Sequence, residues 1–270
     1  MAERPSERAA YAAVLHSRMR AQASYRIPFA VDLAATLVIG VLELAEIWVL
    51  FHRVGVIGGL DMTGILLVFG LAEFSFSIAD LVAGHMDRLP TYLRAGTLDV
   101  FYLRPQPVLL QLMTSELSLR RLARAAFGAG AIVVALSAND IDWDLGRVVM
   151  LAMTLLCAPI LYAAVFVLAA GLQFFLVNGP EFTNAFVYGG RYAATQPASV
   201  WPVSIVAAFA FLIPVAFTGY LPALWLLGFP GSGILTAPLA WWLPLATAWT
   251  IVLAGAAWRI GIRHYQGGGG

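Results

Sequence analysis

Five carboxylates interrupt apolar stretches early in this 270-residue chain, and their chemistry is the most suggestive in the sequence. Asp32, Glu43 and Glu46 lie in one apolar stretch, and Glu73 and Asp80 lie in the next. A charged side chain at the centre of a membrane helix costs about 2.5–3.5 kcal/mol, so such residues usually face protein or water. The sequence therefore predicts that these carboxylates form an acidic path for a cationic ligand.

Two of these carboxylates also have a structural explanation. With a helical rise of about 1.5 Å per residue, Asp32 and Asp80 each lie roughly 8 Å from one end of their apolar stretch. Arg26 and Arg88 flank those same ends and are suitable ion-pair partners. Pairing at the membrane interface is thus the alternative to a transport role for Asp32 and Asp80.

The other three carboxylates lie further from the flanking arginines. Glu43 and Glu46 are three residues apart and share one helix face, and Glu73 lies roughly 16 Å from the inner end of its stretch. The sequence places no arginine mid-span beside any of the three. Instead of a transport role, Glu43 and Glu73 could each be protonated and hydrogen-bonded in a contact between helices. Glu46 could reach the lipid headgroups on the outer side.

The remaining reactive side chains do not form a catalytic or metal-binding pattern. Gly231-Ser232-Gly233 lacks the G-x-S-x-G arrangement of a nucleophile elbow, and the single cysteine, Cys157, lies in an apolar run. The histidines all fall at or beyond the ends of apolar stretches: His16, His52, His85 and His264. The sequence therefore predicts no catalytic residue and no metal site, which argues against an intramembrane hydrolase or a metal-dependent enzyme.

The composition indicates that the solvent of this chain is largely lipid. Hydrophobic residues make up 61% and charged residues 11%, whereas a soluble domain has about half and about a quarter. All 16 basic residues are arginine, and without lysine the chain cannot form the Walker A loop that binds ATP. The formal net charge of +1 gives no sign of a nucleic-acid partner.

Six apolar stretches are long enough for the spans of an all-α integral membrane protein, which needs about 20 apolar residues for each span. They cover residues 27–51, 64–84, 122–136, 148–168, 203–221 and 243–262. Residues 27–262 therefore form one six-span domain. The first stretch is too long for the core of a signal peptide and is predicted to be a retained span.

The arginines predict the orientation of these spans. Most of them fall in four segments that six spans place on one side: the N-terminus, residues 85–121, residues 170–202 and the C-terminus. The loops on the other side hold only Arg53 and Arg147. Because basic residues stay on the cytoplasmic side, both termini are expected in the cytoplasm.

Four segments lie outside the predicted spans. Residues 1–26 resemble an amphipathic helix at the membrane interface. Residues 85–121 form a long inner loop, and residues 222–242, rich in Pro and Trp, suggest a re-entrant or interfacial segment between spans five and six. Residues 263–270 form a tail, whose final four glycines are typical of an expression remnant.

The inner loop carries the most specific motif. Residues 94–105 read R-A-G-T-L-D-V-F-Y-L-R-P, with Leu89-Pro90 before them and P-V-L-L-Q at residues 107–111 after them. This R-x-G-T-L-D…L-R-P pattern resembles the loop after the second span of bacterial ABC type-2 exporter permeases. The F-L-I-P and Y-L-P-A runs at residues 211–214 and 220–223 resemble the fifth span of that family.

The resemblance implies a permease of the bacterial inner membrane. The family includes exporters of drugs and of cationic viologens, and its permeases often pair with an identical or similar permease. They take ATP and Mg²⁺ through separate ATPase subunits, so no cofactor is expected in this chain. By resemblance, the ATPase docks on the inner loop, at Asp87, Arg88, Leu89, Pro90, Tyr92, Arg94, Gly96, Thr97, Leu98, Asp99, Arg104 and Pro105.

The residues of the loop also suggest a shape for a coupling helix after span two. Residues 87–93 can form a short helix, and Gly96 allows a tight turn. Thr97 or Asp99 could then cap the next helix, which Pro105 limits. The alternative is an ordinary interfacial loop whose arginines bind lipid phosphate.

The sequence thus predicts the permease subunit of an ATP-driven exporter for a hydrophobic or amphipathic small molecule, cationic ones included. The main alternative is a self-contained proton- or ion-coupled secondary transporter, which the carboxylates within spans permit. The sequence contains no visible internal repeat of the kind that many secondary transporters have.

Overall fold

The computed structural model describes residues 26–115, 119–176, 181 and 183–265 of the chain. Its α-helices are α1 (Arg26–Val54), α2 (Met62–Ala83), α3 (Leu89–Arg94), α4 (Asp99–Tyr102), α5 (Val108–Met113), α6 (Leu119–Ala138), α7 (Leu145–Gln173), α8 (Gly189–Thr195), α9 (Val203–Ala207), α10 (Tyr220–Leu227) and α11 (Leu243–His264). Two strands, β1 (Gly231–Ser232) and β2 (Leu235–Thr236), pair antiparallel. The all-helical membrane architecture predicted from the sequence is confirmed.

Six short 3₁₀ or π-helical segments join these helices. The 3₁₀ segments are Gly84–Arg88, Ala198–Val200, Val215–Thr218 and Ala237–Trp242, and the π-helical segments are Asn184–Tyr188 and Ala208–Leu212. Five of the six lie between α7 and α11, in the part of the chain where proline and glycine interrupt the apolar runs. This region is therefore the least regular part of the described chain.

Within the described residues, five helices are long and apolar enough to cross a membrane. They are Ala30–Val54, Met62–Arg94, Arg121–Ala138, Leu145–Gln173 and Ala237–His264. They overlap the first four predicted spans and the sixth. Caps define two of their starts: Asp61 accepts a hydrogen bond from the Gly64 amide at 2.8 Å, and Asp144 accepts one from the Arg147 amide at 2.7 Å.

The predicted fifth span, residues 203–221, does not form the single helix that its hydropathy suggests. Helix α9 and the π-helical segment after it end before Ile213, and a 3₁₀ turn separates them from α10. Pro214 has no amide hydrogen to continue a helix, and Gly219, with φ −143°, leaves the helical region. Hydropathy counts apolar residues but does not register these breaks.

The predicted re-entrant or interfacial segment, residues 222–242, is also broken. It contains the end of α10, the β1–β2 hairpin and the 3₁₀ turn Ala237–Trp242. Helix α10 ends at Gly228, whose φ of 72° is left-handed and favours glycine. The predicted amphipathic helix within residues 1–26 and the tail beyond Tyr265 lie outside the described residues.

Helix α2 is the centre of the bundle. In its most apolar window 72% of the residues are buried, compared with 11% in α1. Its backbone lies directly against the backbone of α6. A Cβ added to Gly70 of α2 would lie 2.8 Å from the Ile132 amide nitrogen, and a Cβ added to Gly128 of α6 would lie 2.6 Å from the Phe74 amide nitrogen. Small residues at such contacts allow membrane helices to approach closely.

Helices α7 and α11 lie side by side and run in the same direction. Thr247, near the start of α11, donates a 3.4 Å hydrogen bond to the Cys157 carbonyl. Near the ends of both helices, a Cβ on Gly171 would lie 2.6 Å from the carbonyl carbon of Ala257. Because the two helices run in the same direction, the chain between them must return to the side on which α7 begins.

Candidate functional site

The loop predicted to carry a coupling helix is itself folded. The 3₁₀ segment Gly84–Arg88 leads directly into α3, and Gly96 then turns the chain with φ 65°. A tight turn at this glycine was predicted and is confirmed, and its positive φ is one that glycine adopts readily. The predicted cap by Thr97 or Asp99 is wrong, because α4 begins after Leu98 without a side-chain cap.

Buried side chains hold this loop against the bundle. Leu89 and Leu98 have no exposed surface. The Gln111 amide donates to the Phe101 carbonyl at 2.9 Å and to the Gln106 carbonyl at 2.6 Å, which closes the loop onto α5. A loop anchored in this way can transmit a force, because it cannot move independently of the helices beneath it.

The residues predicted to dock an ATPase divide between an exposed face and these buried anchors. Exposed are Arg88, Arg94, Thr97, Asp99, Arg104 and Pro105; partly buried are Asp87, Tyr92 and Gly96; buried are Leu89, Pro90 and Leu98. Leu103, next to Arg104, is 85% exposed. We call this exposed face, with Leu103, the loop face.

The loop also contacts the end of the last long helix. The rings of Tyr102 and Tyr265 stack with centroids 6.3 Å apart. Burial and then the charge of Asp99 raise the pKa of Tyr102, and burial and the neighbouring Asp99 raise the pKa of Tyr265. Both hydroxyls therefore keep their protons at neutral pH.

A second group of residues, which we call the charge cluster, consists of Glu43, Glu73, Arg124 and Arg191. Arg191 donates to Glu73 at 2.9 Å and also pairs with Glu43. Arg124 binds Glu73 at 2.5 Å and lies 3.7 Å from Glu43. Two carboxylates therefore meet two guanidinium groups from four different segments.

The expectation that no arginine stands beside the mid-span glutamates is therefore wrong. Arg191 was assigned to the inner loop 170–202, but it lies on α8 with 9% of its side chain exposed. Glu73 is 1% exposed and would be costly to bury without partners. Two arginines therefore balance the charge of Glu43 and Glu73, and the predicted role of these carboxylates in a substrate path stays a prediction.

Aromatic rings surround the charge cluster on one side. The Phe76 ring centroid lies 5.4 Å from the Arg191 guanidinium carbon and 6.0 Å from that of Arg124, within range of a cation–π interaction. Tyr162 and Phe166 pack against the same ring. These contacts pack aromatic rings against both guanidinium groups of the charge cluster.

The remaining predicted carboxylates have separate environments. Glu46 accepts a 2.7 Å hydrogen bond from the Tyr192 hydroxyl. Asp80 pairs with Arg121 at 3.0 Å, and not with Arg88 as expected. The Asp32 carboxylate has no hydrogen-bond or ion-pair partner among the residues that the structure describes, and its expected partner Arg26 has no described side chain.

A cavity of about 360 Å³ lies between α1, the end of α2 and the start of α6. We call it the polar cavity. Its charged lining residues are Asp32, Asp80, Asp87, Arg88, Arg121 and Arg124, and His85 and Tyr188 also face it. Arg124 belongs to both the polar cavity and the charge cluster, so the two are adjacent.

A comparison with protein families now bears on the whole arrangement. A family model described as "ABC-2 family transporter protein" matches residues 37–269, most of the chain. This chain belongs to the ABC-2 transporter family. A search of curated proteins and a search of solved structures find no match.

The resemblance predicted from the R-x-G-T-L-D…L-R-P loop is thus confirmed at the level of the family. As an ABC-2 protein with five membrane-length helices in its described residues, the chain is a multi-pass membrane protein of a transport family. Its described residues contain no group of three or more His, Cys, Asp or Glu that could hold a metal ion.

Sequence reasoning missed the arginines and the tyrosine that organise the site of this ABC-2 protein. Arg121 and Arg191 were assigned to inner loops and Arg124 to a span end, where all three look like interfacial charges. Tyr188, whose hydroxyl donates to Asp87 at 3.1 Å, was not noticed at all. The available signal was the number of carboxylates within spans, which requires buried cations elsewhere in the chain.

Proposed function

We propose that this chain is the permease subunit of an ATP-driven exporter and that a separate chain supplies the ATPase. The observation that carries the proposal is the ABC-2 family match together with the loop face, an exposed charged surface on a firmly anchored loop. The sequence has no lysine and so no Walker A loop. ATP and Mg²⁺ would therefore bind to the partner.

The loop face has the properties of a docking surface for such a partner. It combines the arginines 88, 94 and 104 with the exposed Leu103. A polar rim around an apolar residue is typical of protein interfaces. The buried Leu89 and Leu98 would transmit the movement of a docked ATPase to α2.

A chain of contacts leads from this loop to the charge cluster. The Tyr188 hydroxyl holds Asp87 at 3.1 Å, and Arg191, three residues later in the same helical segment, holds Glu43 and Glu73. A shift of the loop would therefore move Arg191 relative to its carboxylates. Docking and the membrane-embedded charges would be coupled in this way.

The proposed topology has six crossings in the bacterial inner membrane, with both termini in the cytoplasm. The parallel α7 and α11 support one return crossing between them. Residues 183–200 are suited to be this return crossing. At one end Tyr188 hydrogen-bonds Asp87, and at the other end Ser199 lies beside Gly58 in the loop between α1 and α2. The arginine distribution supports the orientation.

Residues 203–227 then become the re-entrant element. Ser199 lies beside Gly58, and Gly228 lies beside Arg147 at the start of α7, so both ends of the element lie on one side. Between them, Gly219 packs on the α2 backbone near Val68. The polypeptide enters the membrane, turns at residues 213–219 and leaves by α10.

A second permease, identical or similar, would complete the path. Helix α1 supports this proposal, because its apolar window is only 11% buried and exposes Val38, Leu42 and Val49 to more than half of their surface. The substrate would be a hydrophobic or amphipathic small molecule. Asp32 and Asp80, which line the polar cavity, and the neighbouring Glu43, Glu46 and Glu73 would border its route.

The test is whether the chain purifies with an ATP-binding subunit that drives transport. We expect co-purification of such a subunit, and loss of transport when its Walker lysine is mutated. Transport that survives this mutation would overturn the proposal in favour of the self-contained secondary transporter.

Variants of the loop face locate the contact. We expect Arg94→Glu and Leu103→Asp to weaken ATPase association at least about tenfold, corresponding to about 1.4 kcal/mol. Arg53→Glu, an exposed arginine on the predicted outer side, is the matched control and should leave association unchanged. Equal effects of all three variants would place the ATPase elsewhere.

A further inference from the structure

The polar cavity is lined by charges of both signs, and two of them, Asp32 and Arg88, have no partner among the described residues. Helices α1 and α6 touch at Gly40, where a Cβ would lie 2.8 Å from the Phe127 ring. Below that contact α1 lines the cavity with Asp32, Ala35 and Ile39. We propose that this cavity binds the zwitterionic headgroup of a phospholipid, with the phosphate at Arg121 and the ammonium group at Asp32.

The charge balance of the lining points to a ligand of both signs. Three carboxylates and three guanidinium groups face the cavity. A purely cationic ligand would be repelled by the guanidinium groups, and a purely anionic one by the carboxylates. A phosphate and an ammonium group on one ligand satisfy both.

The groups without partners indicate where each end binds. Nη1 of Arg121 is buried without a hydrogen-bond partner among the described residues, although the side chain pairs with Asp80. Arg88 is exposed at the mouth, and the structure gives it no partner in the described part of the chain. The Asp32 carboxylate likewise has none there. A buried donor left unsatisfied is costly, so a phosphate oxygen at Arg121 would be strongly favoured.

The order of these charges matches the order of groups in a lipid. The charge cluster holds Glu43 and Glu73 at one level. At about 1.5 Å per residue, Asp80 lies about 10 Å below that level along α2, and Asp32 about 16 Å below it along α1. The ammonium site is therefore nearer the membrane surface than the phosphate site beside Asp80, as in a lipid of the leaflet on that side.

The size and the walls of the cavity agree with this assignment. A volume of about 360 Å³ is at the lower end of the range of small-molecule sites, about 300–1,000 Å³. Ala35 and Ile39 give the α1 wall an apolar strip along which acyl chains can leave into the membrane. The inference rests on the proposed membrane topology, but it requires neither the ATPase nor a second permease.

The experiment measures lipid binding to the full chain, purified in detergent, by native mass spectrometry. The probes are phosphatidylethanolamine, phosphatidylglycerol, which lacks the ammonium group, and a dialkyl trimethylammonium lipid, which lacks the phosphate. We expect phosphatidylethanolamine to bind at least about tenfold more tightly than either of the others. Equal binding of the three lipids would overturn the proposal.

Soluble glycerophosphoethanolamine distinguishes the two sources of the same headgroup. We expect it to compete weakly, because it has no acyl chains to place along the Ala35–Ile39 strip. If it binds as tightly as the phospholipid, the cavity is a site for a free phosphate ester, and the lipid assignment is wrong.

Variants test the two ends of the headgroup separately. Asp32→Asn should remove the preference for phosphatidylethanolamine over phosphatidylglycerol, and Arg121→Gln should remove the preference over the trimethylammonium lipid. Arg88→Gln, at the mouth, tests the phosphate end if loss of the Asp80 ion pair prevents Arg121→Gln from folding. Each change is expected to be about tenfold, the size of one lost charge-assisted hydrogen bond.

Matched controls lie on the predicted outer side. Asp142, whose side chain is 97% exposed, and Arg53, also exposed, should tolerate Asp142→Asn and Arg53→Gln without any change in lipid preference. If these controls behave like the cavity variants, the preference arises from overall charge and the proposal fails. ATPase co-purification is a separate measurement, so failure of the exporter assignment would be distinguishable.

Discussion

Replacing Arg191 with methionine should destabilise the protein by about 3 kcal/mol. Removing one partner of a buried ion pair costs about 3–5 kcal/mol, because it leaves an uncompensated charge. Glu73 keeps Arg124 at 2.5 Å in this variant, but Glu43 keeps only the same arginine at 3.7 Å. One of the two carboxylates therefore stays largely compensated, which places the loss at the lower end of the range.

The assay is equilibrium unfolding in mixed micelles, followed by the loss of helical signal. Arg191→Lys should lose less stability than Arg191→Met, because an ammonium group keeps the positive charge. It should still lose some, because an ammonium group cannot bridge both carboxylates as the planar guanidinium does. Adding Glu43→Gln to the methionine variant should recover about 1–2 kcal/mol, because it removes the less compensated charge.

Arg147→Met is the matched control. Arg147, whose side chain is 19% exposed, lies 4.0 Å from Asp142, whose side chain is 97% exposed. A pair whose carboxylate is open to solvent contributes about 1 kcal/mol. If Arg191→Met loses no more stability than Arg147→Met, the charge cluster does not stabilise the fold and the reasoning is refuted.

Three further predictions concern the helix packing and the loop. Gly128→Ala should lower the free energy of unfolding by about 1–3 kcal/mol, because its Cβ would lie 2.6 Å from the α2 backbone. Gly130→Ala, whose Cβ would have nothing within 4 Å, should be neutral or stabilising in the same unfolding assay. Equal losses of stability in the two variants would contradict the packing argument. Tyr188→Phe should reduce transport several-fold while ATP hydrolysis by the assembled complex continues, because the hydrogen bond to Asp87 is lost; unchanged transport would remove that contact from the proposed route. Gly96→Ala should destabilise by about 1–2 kcal/mol because φ is 65°, and a thermal melt without any shift would show that the loop relaxes.

The long helices follow from local sequence, whereas the proposed fifth crossing does not. An uninterrupted apolar run near 20 residues specifies a membrane helix largely by itself. The apolar run predicted as the fifth span, residues 203–221, includes Pro214 and Gly219. The segment that we propose as the fifth crossing, residues 183–200, includes Gly189, Gly190 and Arg191. Hydropathy therefore favoured the broken segment over the segment that we propose as the crossing.

The functional residues divide in a similar way. The carboxylates stood out in the sequence because charges in apolar runs are rare. Their partners did not, because the pairs join residues 51 and 118 positions apart, Arg124 with Glu73 and Arg191 with Glu73. Only the packing of α2 against α6 and α8 brings them together, and periodicity in one segment holds no information about it.

The charge cluster also sets an order for synthesis and membrane insertion. The ribosome produces Glu43 and Glu73 first, whereas Arg124 follows Glu73 by 51 residues and Arg191 by 118. Until then the first two helices contain carboxylates that cost about 2.5–3.5 kcal/mol each at the centre of a bilayer. Early helices must therefore wait, in the insertion machinery or as protonated acids, for the arginines that neutralise them. A chain truncated before residue 191 would leave Glu43 with only Arg124 at 3.7 Å, so most of the uncompensated charge would lie on Glu43.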